Sequence, residues 1–345
     1  MPSNTAAYLL GPKLPLEVRP APYHSPEDDE IVIKNGAIAI NPADPIVQST
    51  GAEMFQLKYP DVVGEDVAGE VCEIGSNVTR FKTGDRVFGM GLWMGKPGYK
   101  GAAFQAYTVL KETMAAPIPA SMSYESAAVF PLGMCSSGGG LFGKEYLALD
   151  YPSLTPKPNG KTLLVYSGSS SLGSNAIQLA VAAGYEVITT ASPKNFDLCK
   201  KLGASQVFDY NSSTIAEDLI AAFKGKVSAG AIAIGSMFAE GNGASAAEVC
   251  LRVAKESEGA KFVAMAMQFP EEKIPEGVIA KWIMEDVHSS GVGKMLFEFL
   301  PEALAQNKYK VAPEPLVVGK GLENLQAGID AVMKGVSAKK IVVTM

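Results

Sequence analysis

Only two histidines, His24 and His288, occur in the chain, and they stand far apart. Four cysteines, Cys72, Cys135, Cys199 and Cys250, are as scattered, and none shares a short ligand-type spacing with another. This scarcity argues against a Cys/His metal centre and against a disulfide framework. The thiols are expected as small buried groups in a reducing compartment. Runs of lysine or arginine are missing too, and the net charge is −6. Nucleic acid and anionic membrane are therefore not expected as partners. Charges, glycine or proline interrupt every apolar run before it reaches the length of a membrane span. Met1 to Tyr8 lacks the basic and apolar regions of a secretory leader, so a cytoplasmic location is expected.

What is present is the composition of a well-packed globule, at a length of 345 residues that points to two domains. Up to about residue 130 the texture is strands and turns. Ile31–Lys34, Val67–Ile74 and Asp85–Phe88 read as strands, and glycine and proline punctuate the region, as in an antiparallel, barrel-like domain. From 160 to 267 strands alternate with helices. Lys161–Tyr166, Tyr185–Ala191, Val207–Phe208, Ala229–Ile234 and Lys261–Met267 read as strands. Leu172–Ala183, Asn195–Leu202, Thr214–Phe223 and Ala246–Lys255 read as helices between them. Continuous apolar strands separated by helices predict an α/β domain with a parallel sheet covered on both faces. A helix at Lys294–Gln306 and a strand at Lys340–Val343 close the pattern, and the end of the chain is expected to rejoin the first domain.

Between the first of those strands and its helix lies Ser167-Gly-Ser-Ser-Ser-Leu-Gly173. Small residues let a backbone approach a pyrophosphate, and the following helix offers unpaired N–H groups and its positive dipole end. Serine hydroxyls at 167, 169, 170 and 171 add donors, and Gly173 lets the helix pack on its strand. The match to G-x-G-x-x-G is partial, and a Ser-rich turn with a helix cap explains it equally well on its own. The next strand separates the two. It ends at Thr189-Thr-Ala-Ser192, where a ribose-diol carboxylate would stand in an NAD enzyme, and no acid is there. Ser192-Pro-Lys-Asn195 instead suits a 2′-phosphate, through hydrogen bonds and one positive charge. Lys194 as a solvated lysine and Asn195 as a helix cap remain compatible with that reading.

The chain at this point resembles the medium-chain dehydrogenase/reductase superfamily. The resemblance rests on Asn41-Pro-Ala-Asp44, Pro60–Gly69, Gly84-Asp-Arg-Val87, Ala127–Gly133 and the turn just described, and it covers essentially the whole chain. Ala191–Ala204 and Val207-Phe-Asp-Tyr210 resemble the zinc-free fungal branch, which holds trans-acting enoyl reductases of polyketide synthesis. The resemblance implies a Rossmann doubly wound parallel sheet plus a discontinuous GroES-like, barrel-like catalytic domain, with the active site in the cleft between them. Domain boundaries are expected at 1–130, 131–288 and 289–345, the last segment returning to the catalytic domain. The cofactor implied is NADPH. Its contacts would be Asn41, Pro42, Ser136, Gly168, Ser169, Ser170, Ser171, Leu172, Gly173, Ser192, Lys194, Asn195, Tyr210, Ile234, Gly235, Met265, Met267, Ala338 and Lys339. Leu132, Gly133, Cys135, Phe142 and Gln268 are implied to line the substrate space. For Ile234–Gly235, Met265–Gln268 and Ala338–Lys339, plain strand ends and a surface lysine are equally good explanations.

Metal-using members of the superfamily place zinc ligands where this chain has Asn41 and Gly64-Glu65-Asp66. Two carboxylates without nitrogen or sulfur partners make a poor zinc site, so no metal is expected. Without a Lewis acid to stabilise an alkoxide, hydride addition to a conjugated acceptor is favoured over simple alcohol oxidation. The expected activity is NADPH-dependent reduction of an α,β-unsaturated carbonyl: an enoyl thioester, an enone or a quinone. Two alternatives stand beside it: an auxiliary reductase that needs a polyketide synthase partner, and a cofactor-binding protein without catalysis. The proton donor is open. In relatives an aromatic residue and often a lysine follow Asn-Pro-x-Asp, but Pro45-Ile46 follow here. Tyr59, Ser136 and the cofactor's own 2′-hydroxyl are the candidates, and His288 is expected at the surface. A monomer and a homodimer are both compatible with the sequence.

Overall fold

The computed structural model describes residues 2–54, 57–92, 100–235 and 242–345. The chain forms two compact units, Met1–Leu132 with Pro313–Met345, and Gly133–Ala312.

In the first unit Glu30–Ala39 pairs antiparallel with Asp66–Ile74, which pairs in turn with Arg86–Met90. Two register shifts, after Val32 and after Asn35, let the long strand run on past Asn35 and Gly36. Asn35 is tolerated inside because its Nδ2 donates to Ala103 O, Gln105 O and Thr108 Oγ1. Across the pair Gly69 is obligatory, since a Cβ there would lie 2.1 Å from Lys34 O. The core joins Ile31, Ile33, Val67 and Val71 to Ile341 and Val343. Fully burying such a side chain contributes about 1.5–3 kcal/mol. The last two belong to the strand Lys339–Thr344, which pairs antiparallel with Glu30–Ala39. Sequence reasoning saw only strands and turns in this region and missed the helix Ala43–Met54. Pro45 falls in its first turn, where a missing N–H costs nothing, and its apolar stripe is thin.

The second unit carries the expected parallel sheet. Among the described residues its main strands run in the order Gln206–Asp209, Glu186–Ala191, Lys161–Val165, Val227–Ala233, Phe262–Met265 and Ile279–Trp282. In chain order this is 3-2-1-4-5-6, the doubly wound arrangement whose direction reverses between Lys161–Val165 and Val227–Ala233. Ligands of such sheets bind beyond the carboxyl ends of the strands at that reversal.

The return to the first unit comes at Pro313 rather than at residue 289. Helix Val292–Ala305 buries Leu296, Phe297 and Leu300, and Leu296 lies against Gly138 of the same unit. Tyr309 donates to Asn175 Oδ1 at 2.7 Å, and the Lys310 N–H donates to Gln178 Oε1 at 2.7 Å. These contacts fasten the segment to helix Ser171–Ala182. Helix Pro131–Phe142 contains Gly138-Gly139-Gly140. A Cβ on these would come within 2.4 Å of Leu296, 2.9 Å of Glu285 and 2.7 Å of Ile283. No helix among the described residues is long and apolar enough to cross a membrane.

Candidate functional site

The phosphate-type turn leaves the strand Lys161–Val165 and is stitched to the strands on both sides of it. The Ser167 N–H donates to Thr190 Oγ1 at 2.9 Å, and the Gly168 N–H to Thr190 O at 2.8 Å. On the other side Ser167 Oγ donates to Ile234 O at 2.8 Å, across the reversal point of the sheet. Ser167 takes a left-handed φ of 67° to make this bend. Ser170 caps helix Ser171–Ala182. Its Oγ accepts the Gly173 N–H at 3.0 Å and donates to Ser167 O at 2.8 Å. The glycines are fixed by close approach. A Cβ on Gly168 would stand 2.2 Å from Thr189 Oγ1, and one on Gly173 would stand 2.2 Å from Ser167 O.

Four serine hydroxyls were expected to face phosphate, and the structure divides them. Those of Ser167 and Ser170 are committed inside the turn. The Ser171 Oγ is buried and has no partner among the described residues, at the first position of the helix. The Ser169 Oγ accepts from Asn195 Nδ2 at 3.3 Å, and the Ser192 Oγ from the same amide nitrogen at 3.1 Å. Asn195 therefore does not cap the following helix, where it makes no side-chain cap bond. It bridges the turn to the end of the second strand. Lys194 is exposed beside it, and Tyr210, at the end of the third strand, is 37% exposed.

Other expected residues of this unit are placed less favourably. Leu172 is half-buried and Gly133 buried, with Gly133 packed so closely that a Cβ would lie 2.5 Å from Ser171 Oγ. Cys135 and Phe142 are buried, the Phe142 ring packing on Tyr151 at 5.7 Å. Ser136 is half-buried, while its neighbour Ser137 is the hydroxyl held between helices, donating to Gly133 O and Leu172 O. Ile234 and Met265 are buried strand ends, Gly235 and Met267 half-buried, and Gln268 exposed. His288 is half-buried, not at the surface. None of the four cysteines is in a disulfide among the described residues; Cys135, Cys199 and Cys250 are buried while Cys72 is only half-buried, and burial pushes Cys199 up to about 11 and Cys250 higher still.

The Asn41 corner of the first unit is the second polar centre. Asn41 is buried, with the exposed Pro42 after it. Its N–H donates to Asp44 Oδ2 at 2.7 Å, and its Nδ2 to Asp66 Oδ2 at 2.9 Å. Asp66 Oδ1 accepts the Leu132 N–H at 2.7 Å. Lys340, missed by sequence reasoning, pairs with Asp66 at 2.8 Å and donates to Asn41 Oδ1. The family resemblance points to Ala338 and Lys339 instead. Ala338 has a left-handed φ of 50°, and Lys339 is exposed and paired with Glu314 at 2.6 Å. Strand alternation between Lys339 and Lys340 was the available signal, since one of two adjacent lysines in a strand must face inward. Burial drives the Asp44 carboxyl up to about 7; the Asn41 N–H opposes this, the Asp66 charge adds to it, and the Lys340 charge opposes it. The Tyr59 hydroxyl is buried without a partner among the described residues, and its ring packs on the core of the first unit.

The turn fits a dinucleotide on its own geometry: a glycine cradle closed to any Cβ, an unpartnered hydroxyl at a helix N-terminus, and a position at the reversal of the sheet. Comparison with known proteins agrees. Residues 27–120 match the alcohol dehydrogenase GroES-like domain family, and residues 171–275 match the zinc-binding dehydrogenase family. The "Dehydrogenase azaJ" of Aspergillus niger is 49% identical over 100% of both chains. The chain belongs to the medium-chain dehydrogenase/reductase superfamily. The "Trans-enoyl reductase himH" of Aspergillus japonicus is 38% identical, over 95% of this chain and 93% of that one. Among solved structures, the CurK enoyl reductase superposes with a TM-score of 0.75 at 21% identity, over 99% of each chain, a likeness of fold. As a member of this superfamily the protein is an oxidoreductase of the dehydrogenase/reductase type, and the cofactor of the superfamily is a nicotinamide nucleotide. Although one matched family is named for zinc, no group of three or more His, Cys, Asp or Glu among the described residues is arranged to hold a metal.

Proposed function

We propose that the protein is a zinc-independent, NADPH-dependent reductase of an α,β-unsaturated carbonyl. The observation that carries the cofactor reading is the Asn195 amide, which draws Ser169 and Ser192 together beside the exposed Lys194. This leaves the serine hydroxyl protons and one ammonium to meet a 2′-phosphate, and the end of the second strand, Thr189 to Asn195, has no carboxylate of its own for a ribose diol. Bound NADPH supplies the hydride. The residues of the turn hold the pyrophosphate through helix N-terminal N–H groups and the Ser171 hydroxyl, and the Asn41–Pro42 loop is read as the contact to the nicotinamide. At that loop the cation facing the carboxylate is a lysine, which supplies no open Lewis-acid position. A conjugated acceptor delocalises its negative charge after hydride addition and so does not demand one. Positioning of donor and acceptor then carries most of the rate.

NADPH and NADH oxidation measured against enoyl thioesters, enones and quinones tests this reading. Turnover with NADPH at least tenfold above NADH, unchanged by chelator, is the expected result. Preference for NADH, or inactivity on the whole panel, would overturn it. Relatives named as trans-enoyl reductases favour a second reading, in which the acyl chain is presented by a synthase carrier domain. Rates on carrier-bound and free thioesters of the same acyl group distinguish the two.

A further inference from the structure

The pair of Lys340 and Asp66 is the most enclosed charge pair among the described residues, with side chains 3% and 0% exposed. Such a pair contributes little net stability, because desolvation offsets most of the attraction. Its geometry gives it another use. The Asp66 oxygen that meets the ammonium also accepts the Asn41 Nδ2–H, and the ammonium donates to Asn41 Oδ1. The carboxamide is gripped at both ends, and the charges dictate which end is oxygen. Its backbone is held as well, by Asp44 Oδ2 on the Asn41 N–H. Asp66 reaches further through Oδ1 to the Leu132 N–H, at the start of helix Pro131–Phe142. One ion pair thus sets both the loop after the strand Glu30–Ala39 and the first turn of that helix.

We propose that Lys340 and Asp66 are positioning residues that hold the Asn41 carboxamide and the loop from Asn41 to Asp44 in one orientation toward the nicotinamide. The proposal rests on the reading of Asn41–Pro42 as the nicotinamide loop. It makes the ammonium a fixed internal cation, tethered by its own strand, beside the Asn41 carboxamide.

The test compares wild type with the double variant Lys340→Met/Asp66→Asn, which removes both charges and leaves neither buried alone. Thermal midpoint, KM for NADPH, kcat and the emission spectrum of bound NADPH are read. The expected double variant keeps a midpoint near that of wild type and a KM for NADPH within about threefold. Its kcat falls by about 10²-fold, the scale of a small misplacement, and the emission of bound NADPH moves toward that of the free nucleotide. A double variant with kcat and emission within about twofold of wild type overturns the proposal, as does one that cannot fold, which would make the pair purely structural. If wild type binds NADPH but reduces no acceptor, the proposed activity fails and the emission shift alone decides the positioning role. Wild type that does not bind NADPH overturns both.

Discussion

The phosphate turn and the Asn41 corner both follow the end of a buried strand, but they are assembled in opposite ways. The turn is local: Ser167, Ser170 and Gly173 bond among themselves within a few residues, and Ser137, Thr190, Ile234 and Asn195 reach it from beyond. It uses neutral hydroxyls and amides. The corner draws on residues 41, 44, 66, 132 and 340, and its longest hydrogen bond spans 299 positions of sequence. It uses two carboxylates and one ammonium, nearly all buried. A local, neutral device tolerates an imperfect motif, since its shape rests on backbone geometry. A long-range, charged device tolerates little, since losing one member strands another charge out of water.

The comparison can be broken most severely at Gly173. Gly173→Val drives a side chain into Ser167 O, so the helix must leave its strand. A loss of at least about 3 kcal/mol and of measurable NADPH binding is expected, scored by urea unfolding and by nucleotide titration. Lys340→Met alone leaves Asp66 buried and unpaired, with an expected cost of about 3–5 kcal/mol, most of it recovered on adding Asp66→Asn. Hydrogen exchange should confine that loss to the first unit.

Asp44 sharpens the contrast through pH. Its folded pKa, raised by burial to about 7, lies above its unfolded value. The folded chain therefore binds the proton more tightly, so this contribution is complete below about pH 4 and is lost as pH rises through about 7. Wild type should lose stability relative to Asp44→Asn across that window, by up to about 1.4 kcal/mol per pH unit. A flat difference between the two in unfolding experiments from pH 4 to 8 would show that Asp44 does not titrate there. The smallest effect is expected at the turn's rim. Ser192→Asp should lower kcat/KM for NADPH about 10- to 100-fold while sparing NADH, the scale of one charged hydrogen bond lost.

Legibility followed the same division. Alternating apolar runs and helix-period segments announce the parallel sheet, because each strand's burial is written in its own residues. The turn was visible for the same reason. Lys340 was not: alternation puts Lys339 and Lys340 on opposite faces but does not say which of them turns inward, and its partners Asp66 and Asn41 lie hundreds of positions away. Asn195 was seen, but with the wrong alternative beside it, since an Asx residue ahead of a helix reads as a cap whatever its side chain does. The segment from 289 to 312 was assigned to the wrong unit because an amphipathic helix shows that it has a buried face and not which core receives it.

Gly138-Gly139-Gly140 have a kinetic consequence. Three glycines in mid-helix forfeit about 3 kcal/mol of intrinsic helicity relative to alanine, so Pro131–Phe142 has little reason to coil by itself. It coils because Leu296, Glu285 and Ile283 press on positions too tight for any Cβ. Such a segment acquires its amide protection only after its neighbours have docked, and it surrenders that protection first. Its exchange rate is a clock for the closing of the second unit.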